Sequence, residues 1–233
     1  MVSARTLDDA HVEGRWISDL VLGAQDGLVN TLGIVLGVAA ASGSVRVTLA
    51  SGLAASVAEA LSMAAVGYTS SLARGELYRS ERAREYRHVE SAPAAEREEI
   101  RVLFAAKGFE GELLDRVVDT VCADKDVWVA LMMSEEHHLV DVDHRASLRS
   151  TAVIGLASLG GALIPVAPFA AFSGGLASIV SLVVSALGLF ALGAYKAKVT
   201  TGRRTRSGLV LTAIGLASAL VGYAIGAAFG VSP

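Results

Sequence analysis

Three groups of side chains in this chain have the types and spacing to bind a cation. The first lies in the apolar stretch 19–41, DLVLGAQDGLVNTLGIVLGVAAA, with Asp26 inside the run and Asp19 at its start. Asp26 follows Asp19 by seven residues and Asn30 follows Asp26 by four, so a helix carries all three on one stripe. Glu59 and Met63, four apart in the next apolar stretch, share a helix face in the same way. A charged side chain at a bilayer centre costs at least about 2.5 kcal/mol. Asp26 is therefore expected to face protein, water or a cation, and an acceptor-only stripe reads as a path for cations or protons. Carboxylates with a thioether suit a borderline divalent ion such as Fe(II) better than Ca or Mg. The competing readings are structural: Asp26 as the cap of a re-entrant turn beside Gly27, and Met63 as core filling.

The second group is Glu81, Glu85 and His88 at i, i+4, i+7, followed by Glu96 and Glu99 three apart. Arg82, Arg84, Arg87 and Arg97 are interleaved with them, so a solvated face of Glu–Arg pairs is the alternative. The third is Met132, Met133 and Glu136 on one helix face, with Glu135, His137 and His138 adjacent. Paired methionines beside carboxylates and imidazoles are an odd choice for a solvent-facing turn, although Met132 and Met133 could instead pack against Trp128. Glu85-x-x-His88 and Glu135-x-x-His138 also match locally the pairs used by di-iron helices. There is no Gly-rich phosphate loop and no nucleophile with its base. Cys122, the single cysteine, has no evident partner and excludes an internal disulfide. An enzyme is not expected.

The elements that must position these groups are helices. The hydrophobic fraction is 53% with few aromatics, and Ala, Gly, Val and Leu dominate, as in closely packed membrane helices. Five spans are expected, near 19–41, 47–73, 150–170, 175–195 and 209–230. The first follows a polar lead-in, residues 1–18, that carries Arg5, His11 and Arg15, reaches the interface at Trp16 and has no removable signal. The second span is expected to continue as one helix through Glu90, until Ser91 and Pro93 break it and the proline starts a new helix. Pro165, Pro168 and the SGG at 173–175 are expected to divide the third span from the fourth. Between spans two and three, residues 74–149 form a soluble helical insert with 17 acidic residues against 12 lysines and arginines. Its apolar residues recur at helical spacing at Ile100, Leu103 and Phe104 and again from Leu113 to Val121, with Gly108 and Gly111 between, and a further helix covers 125–138. The organisation is thus 1–73, 74–149 and 150–233. Gly33 and Gly37, and Gly222, Gly226 and Gly230, have small-xxx-small spacing, which suggests close helix contacts and a pairing of subunits through the first span.

Lysine and arginine sort the loops. The first loop holds Arg46 alone and the loop near 167–174 holds none, whereas the segments after span two and before span five are Arg-rich. The insert and the N-terminus are expected in the cytoplasm and the C-terminus outside.

These residues bring the chain to a family. GRWISDLVLGAQDGLVNTLGIVLGVAAA at 14–41, ALSMAA at 60–65 and the Glu-rich insert followed by MMSEE resemble the vacuolar iron transporter family over nearly the whole chain. The resemblance implies an all-α membrane protein with five transmembrane helices, a helical cytoplasmic metal-binding insert extending the second span, and a homodimer. It implies export of Fe(II) or Mn(II) from the cytoplasm in exchange for protons, with Co(II) and Zn(II) as further candidate ions. No prosthetic group and no nucleic-acid partner is expected. The family's membrane site falls on Asp26 and Met63, and its cytoplasmic ligands on Glu85, His88, Glu96, Glu99, Met132, Met133 and Glu136. Two positions depart from the pattern. His88 stands where the family usually has Glu, and SMAAVGY lacks the glutamate of SMAxGEY at Gly67, with Glu59 supplying a carboxylate two turns earlier. The Ala- and Arg-rich composition looks bacterial and points to the cell membrane. A membrane-anchored metal buffer or sensor without transport is the competing function.

Overall fold

The computed structural model describes residues 10–200 and 202–230, the first six of these by backbone alone. Among the described residues the protein is all-helical, with α1 (Ala10–Ser42), α2 (Val45–Ser91), α3 (Pro93–Ala106), α4 (Gly111–Cys122), α5 (Lys125–Glu135), α6 (His144–Ala171), α7 (Gly174–Val199) and α8 (Arg204–Phe229). Parts of α1 and α2, together with α6, α7 and α8, are long and apolar enough to cross a bilayer. The backbone forms two compact units: residues up to Tyr68 with those from Leu148 onward, and Thr69–Ser147.

The spanning unit is organised by glycine. With no side chain on the facing helix, two backbones can touch, and apolar packing follows from proximity. A Cβ added at Gly37 would sit 2.7 Å from the carbonyl oxygen of Gly222, and one at Gly226 would overlap the carbonyl of Gly37, so α1 and α8 lie backbone to backbone. On another side of α1, Gly23 meets Ile154 and Gly27 meets Ser158 of α6 with no room for a methyl. Gly52 seats α2 against Val35 and Val166. Around these contacts Leu32, Val35, Leu36, Val166, Phe169, Ala177 and Ala219 form one apolar core, and Leu28, Leu189 and Leu211 a second. The outer faces carry Leu61, Leu156, Leu187 and Leu220, all strongly exposed, as a lipid-facing surface requires. This is a multi-pass membrane protein.

Three expectations are corrected here and a fourth is made specific. Arg5 lies outside the described residues, and the helix that carries the first span begins at Ala10, well before the expected start near residue 19. Pro165 and Pro168 do not separate spans; both lie inside α6, and the break falls at Ser173 and Gly174, whose φ of +61° suits glycine. In a packed membrane helix a proline is tolerated because neighbours bond the backbone it frees, and here Ser181 Oγ of α7 donates to Pro165 O at 2.7 Å. The helix after Lys125 ends at Glu135 rather than His138. Finally, the close helix contact expected at Gly33 and Gly37 is made within the chain, with Ser218, Gly222 and Gly226 of α8.

In the Thr69–Ser147 unit, α2 continues without interruption to Ser91, and Pro93 opens α3 at its first turn. Gly108 at φ +91° and Gly111 at φ +54° make the turn into α4, and Asp124 caps α5 by accepting from the amides of Asp126 and Val127. Val89, Ile100, Leu114, Val118, Trp128, Val129, Met132 and Met133 form its core.

Gly226→Ala forces α1 and α8 apart and should cost about 1–3 kcal/mol, read as a lower unfolding temperature of the detergent-solubilised protein. Gly160→Ala, with nothing within 4 Å of the added Cβ, should be neutral or stabilise by up to about 1 kcal/mol.

Candidate metal-binding sites

In the spanning unit the inward stripe of α2 is built from small residues, Thr48, Gly52, Ser56 and Ala60, with Glu59 and Met63 on the same side and both half-buried. Glu59 meets α1: Asn30 Nδ2 donates to Glu59 Oε1 at 3.1 Å, and Asp26 comes within side-chain hydrogen-bond range of the same carboxyl. Two adjacent carboxylates repel, and a proton or a cation between them removes the repulsion. Asn30 and Glu59 also close one end of a groove of about 880 Å³ between α1, α2 and α8, otherwise lined by residues such as Ile34, Val38, Val221 and Phe229. Three of the five membrane residues singled out from spacing therefore converge. Met63 shares their side of α2. Asp19 does not join them; it accepts from Ser150 Oγ of α6 at 2.5 Å, two helical turns from Asp26. At Gly67 an added Cβ would face Ile154 and Thr151 of α6.

In the Thr69–Ser147 unit the charges separate into two kinds. Several carboxylates are paired with cations at the surface. Arg97 pairs with Asp119 and Arg101 with Asp115, joining α3 to α4. Lys107 bonds Glu135 at 2.5 Å, and Lys125 pairs with Glu90. Glu81 belongs to this class, held by Arg84 at 3.4 Å rather than joined to a cluster. Of the Glu–Arg pairs that the spacing allowed, Glu81 with Arg84 is formed, and Glu135 is bonded to Lys107.

Glu85, His88 and Glu96 are different. One donor atom from each lies within 4.8 Å of the others. His88 Nδ1 stands 3.8 Å from Glu85 Oε1 and 3.5 Å from Glu96 Oε1. Glu85 is 3% exposed and Glu96 6%, and Glu96 Oε2 has no hydrogen-bond partner. Among the described residues no lysine or arginine pairs with Glu85 or Glu96 in any ion pair the geometry supports. Burial raises the Glu96 carboxyl above its ordinary range; the charges of Glu99 and Glu85 add to this and His88 opposes it. Glu136 is raised in the same way, by lost solvation first and then by Glu99, with His137 opposing. Glu99 and Glu136 thus stand close enough to act electrostatically on the group from its exposed rim. An uncompensated buried carboxylate pair with an imidazole between is a donor set that fits Fe(II), Mn(II), Co(II) or Zn(II). Met132 and Met133 are fully buried with Val89, Ile100 and Trp128, the packing alternative.

One residue outside the expected ligand set is added by the fold. His137 Nε2 lies 3.0 Å from Glu85 Oε1. Its only signal in sequence was its place beside Glu136.

Comparison with known proteins gives a family. A model described as VIT family matches residues 17–227. The chain is similar to Vacuolar iron transporter 2 of Oryza sativa subsp. japonica, 30% identical over 235 aligned positions that cover 98% of this chain and 93% of that protein. It is similar to Vacuolar iron transporter 1 of Arabidopsis thaliana, 27% identical over 227 positions covering 95% and 91%. A Vacuolar iron transporter of Toxoplasma gondii is 30% identical over 221 positions, covering 91% and 73%.

A carboxyl raised by folding contributes its full stability below the unfolded value and loses it as pH rises through the folded one. Glu96→Gln should therefore melt higher than the parent without metal at pH 8, with the difference closing toward pH 4. The same substitution should abolish the rise in unfolding temperature that Mn(II) gives the parent protein.

Proposed function

The chain belongs to the VIT family, and from that premise we propose that it moves Fe(II) or Mn(II) out of the cytoplasm in exchange for protons. The observation that carries the reading is the meeting of Asp26, Asn30 and Glu59 across α1 and α2, inside helices apolar enough to span a bilayer. Carboxyls are costly there and tend to mark ion or proton paths. A protein that only stored metal would have no use for them.

In this reading the Thr69–Ser147 unit lies in the cytoplasm, with the N-terminus inside and the C-terminus outside, as the arginine distribution supports. Glu85, His88 and Glu96 take the ion, with Glu99 and Glu136 supplying negative charge at the rim. Asp26 and Glu59, with Met63 on the same side of α2, then receive it in the membrane. A carboxyl releases its proton to accept the ion and regains one after the ion leaves, which couples the two flows in opposite directions. Co(II) and Zn(II) fit the same donors. The working unit is a homodimer in the bacterial cell membrane. Since Gly33 and Gly37 already hold α8, pairing through α1 would use Ile34, Val38 and Ala41 along the groove.

Reconstituted in proteoliposomes, the protein should show proton flux stimulated by Fe(II) and Mn(II), and Asp26→Ala should reduce it by about tenfold or more. Mn(II) binding at the Glu85, His88 and Glu96 group should survive in the detergent-solubilised Asp26→Ala protein. Metal binding with no ion-driven flux in the parent protein would make it a membrane-anchored buffer instead.

A further inference from the structure

Glu85 Oε1 is the meeting point of two imidazoles. His88 approaches it from the same helix at 3.8 Å, and His137 from the turn after α5 at 3.0 Å. His137 is not one of the three residues whose donor atoms gather within 4.8 Å of one another; its hydrogen-bond-distance contact with the group is to Glu85. In the tautomer that carries a proton on Nε2, the contact is an N–H donated to Glu85 Oε1. That bond fixes which way one oxygen of Glu85 points.

The turn that delivers His137 is itself held from below. The amides of Glu136 and His137 both donate to Met132 O, at 3.0 and 3.2 Å, and the Leu139 amide donates to Met133 O at 2.9 Å. The side chains of Met132 and Met133 are 1% exposed, locked among Val89, Ile100 and Trp128. Between these bonds His138 adopts φ +53°, a conformation uncommon for any residue but glycine. The methionine pair anchors two carbonyls, the carbonyls bind the turn, and the turn aims one imidazole at one carboxylate.

We propose that His137 is a positioning residue of the metal-capture site, holding Glu85 in the orientation the ion needs. The inference rests on the capture role given above to Glu85, His88 and Glu96. Partners that orient a ligand from outside the coordination sphere commonly change metal affinity about 10–100-fold.

The test is Mn(II) titration of the full-length protein in detergent, followed by electron paramagnetic resonance. His137→Ala should weaken Mn(II) binding about 10–100-fold, with the number of ions bound at saturation unchanged. His137→Gln, whose amide can donate the same bond, should restore most of the affinity. His138→Gly should bind as the parent does, while His138→Val, which resists positive φ, should resemble His137→Ala. Nitrogen coupling to bound Mn(II) in pulsed spectra should vanish in His88→Ala and persist in His137→Ala. Unchanged affinity in His137→Ala overturns the proposal, as does loss of nitrogen coupling in that variant, which would make His137 a ligand. Failure of His137→Gln to restore binding overturns it too, since the side chain would then matter only for packing. Failure of the capture reading has a different signature: parent protein that binds no Mn(II), or binding untouched by Glu96→Gln, removes both.

Discussion

The contact on which the spanning unit depends is bare backbone against bare backbone along α1. Gly23 and Gly27 bring in α6, and Gly33 and Gly37 bring in α8, at separations that leave no space for a single methyl. In lipid there is no hydrophobic drive to press one apolar helix on another, so close van der Waals approach must supply the attraction. Small residues make that approach available. Asn30 and Asp26 continue the stripe of Gly33 and Gly37 one and two turns earlier. Where the glycines end, the carboxyl begins, and α2 comes in with Glu59 instead of a backbone surface. A polar site inside the membrane is tolerable here because the surrounding contacts already fix the helices that carry it.

The Thr69–Ser147 unit solves a different problem, that of keeping acidic residues apart by purpose. An exposed ion pair contributes little, typically less than about 1 kcal/mol, yet several of them join one helix to the next: Arg97 to Asp119, Arg101 to Asp115, Lys107 to Glu135. None of these cations is given to Glu85 or Glu96. Glu85 and Glu96 are left inside without one, sharing only imidazole contacts, and the burial of Glu96 opposes its ionisation. A divalent ion is the simplest group that relieves this arrangement. The candidate site is thus marked as much by the absence of a lysine or arginine partner among the described ion pairs as by the carboxylates and imidazole that meet there.

Helical class, five spans, the unbroken run of α2 to Ser91 and the proline start of α3 were all legible from composition, apolar length and helix-breaking residues. Those signals are local, carried by each segment irrespective of its neighbours. The stripe of Asp26 and Asn30, and the pairing of Glu59 with Met63 on α2, were legible from helical periodicity for the same reason. Where local rules misled, a neighbour intervened. Pro165 and Pro168 read as a break, but α7 bonds the backbone beside them and the helix continues to Ala171. Gly33 and Gly37 read as a close helix contact whose partner the spacing could not name, and the complementary face was on α8, almost two hundred residues away in sequence.

By itself, then, the sequence determined which segments cross the membrane, which faces carry carboxylates, and which family patterns those faces match. It could not say which of many glutamates stay free. Glu81, Glu85, Glu96 and Glu135 look alike along the chain, and only the tertiary structure gave Glu81 and Glu135 to cations while burying Glu85 and Glu96 around His88. His137 joined Glu85 by the same route, through a turn whose φ no spacing rule predicts. The reason is physical. Periodicity reports the direction of a side chain about its own axis, whereas the partner it meets depends on where other axes lie, and that is settled by packing.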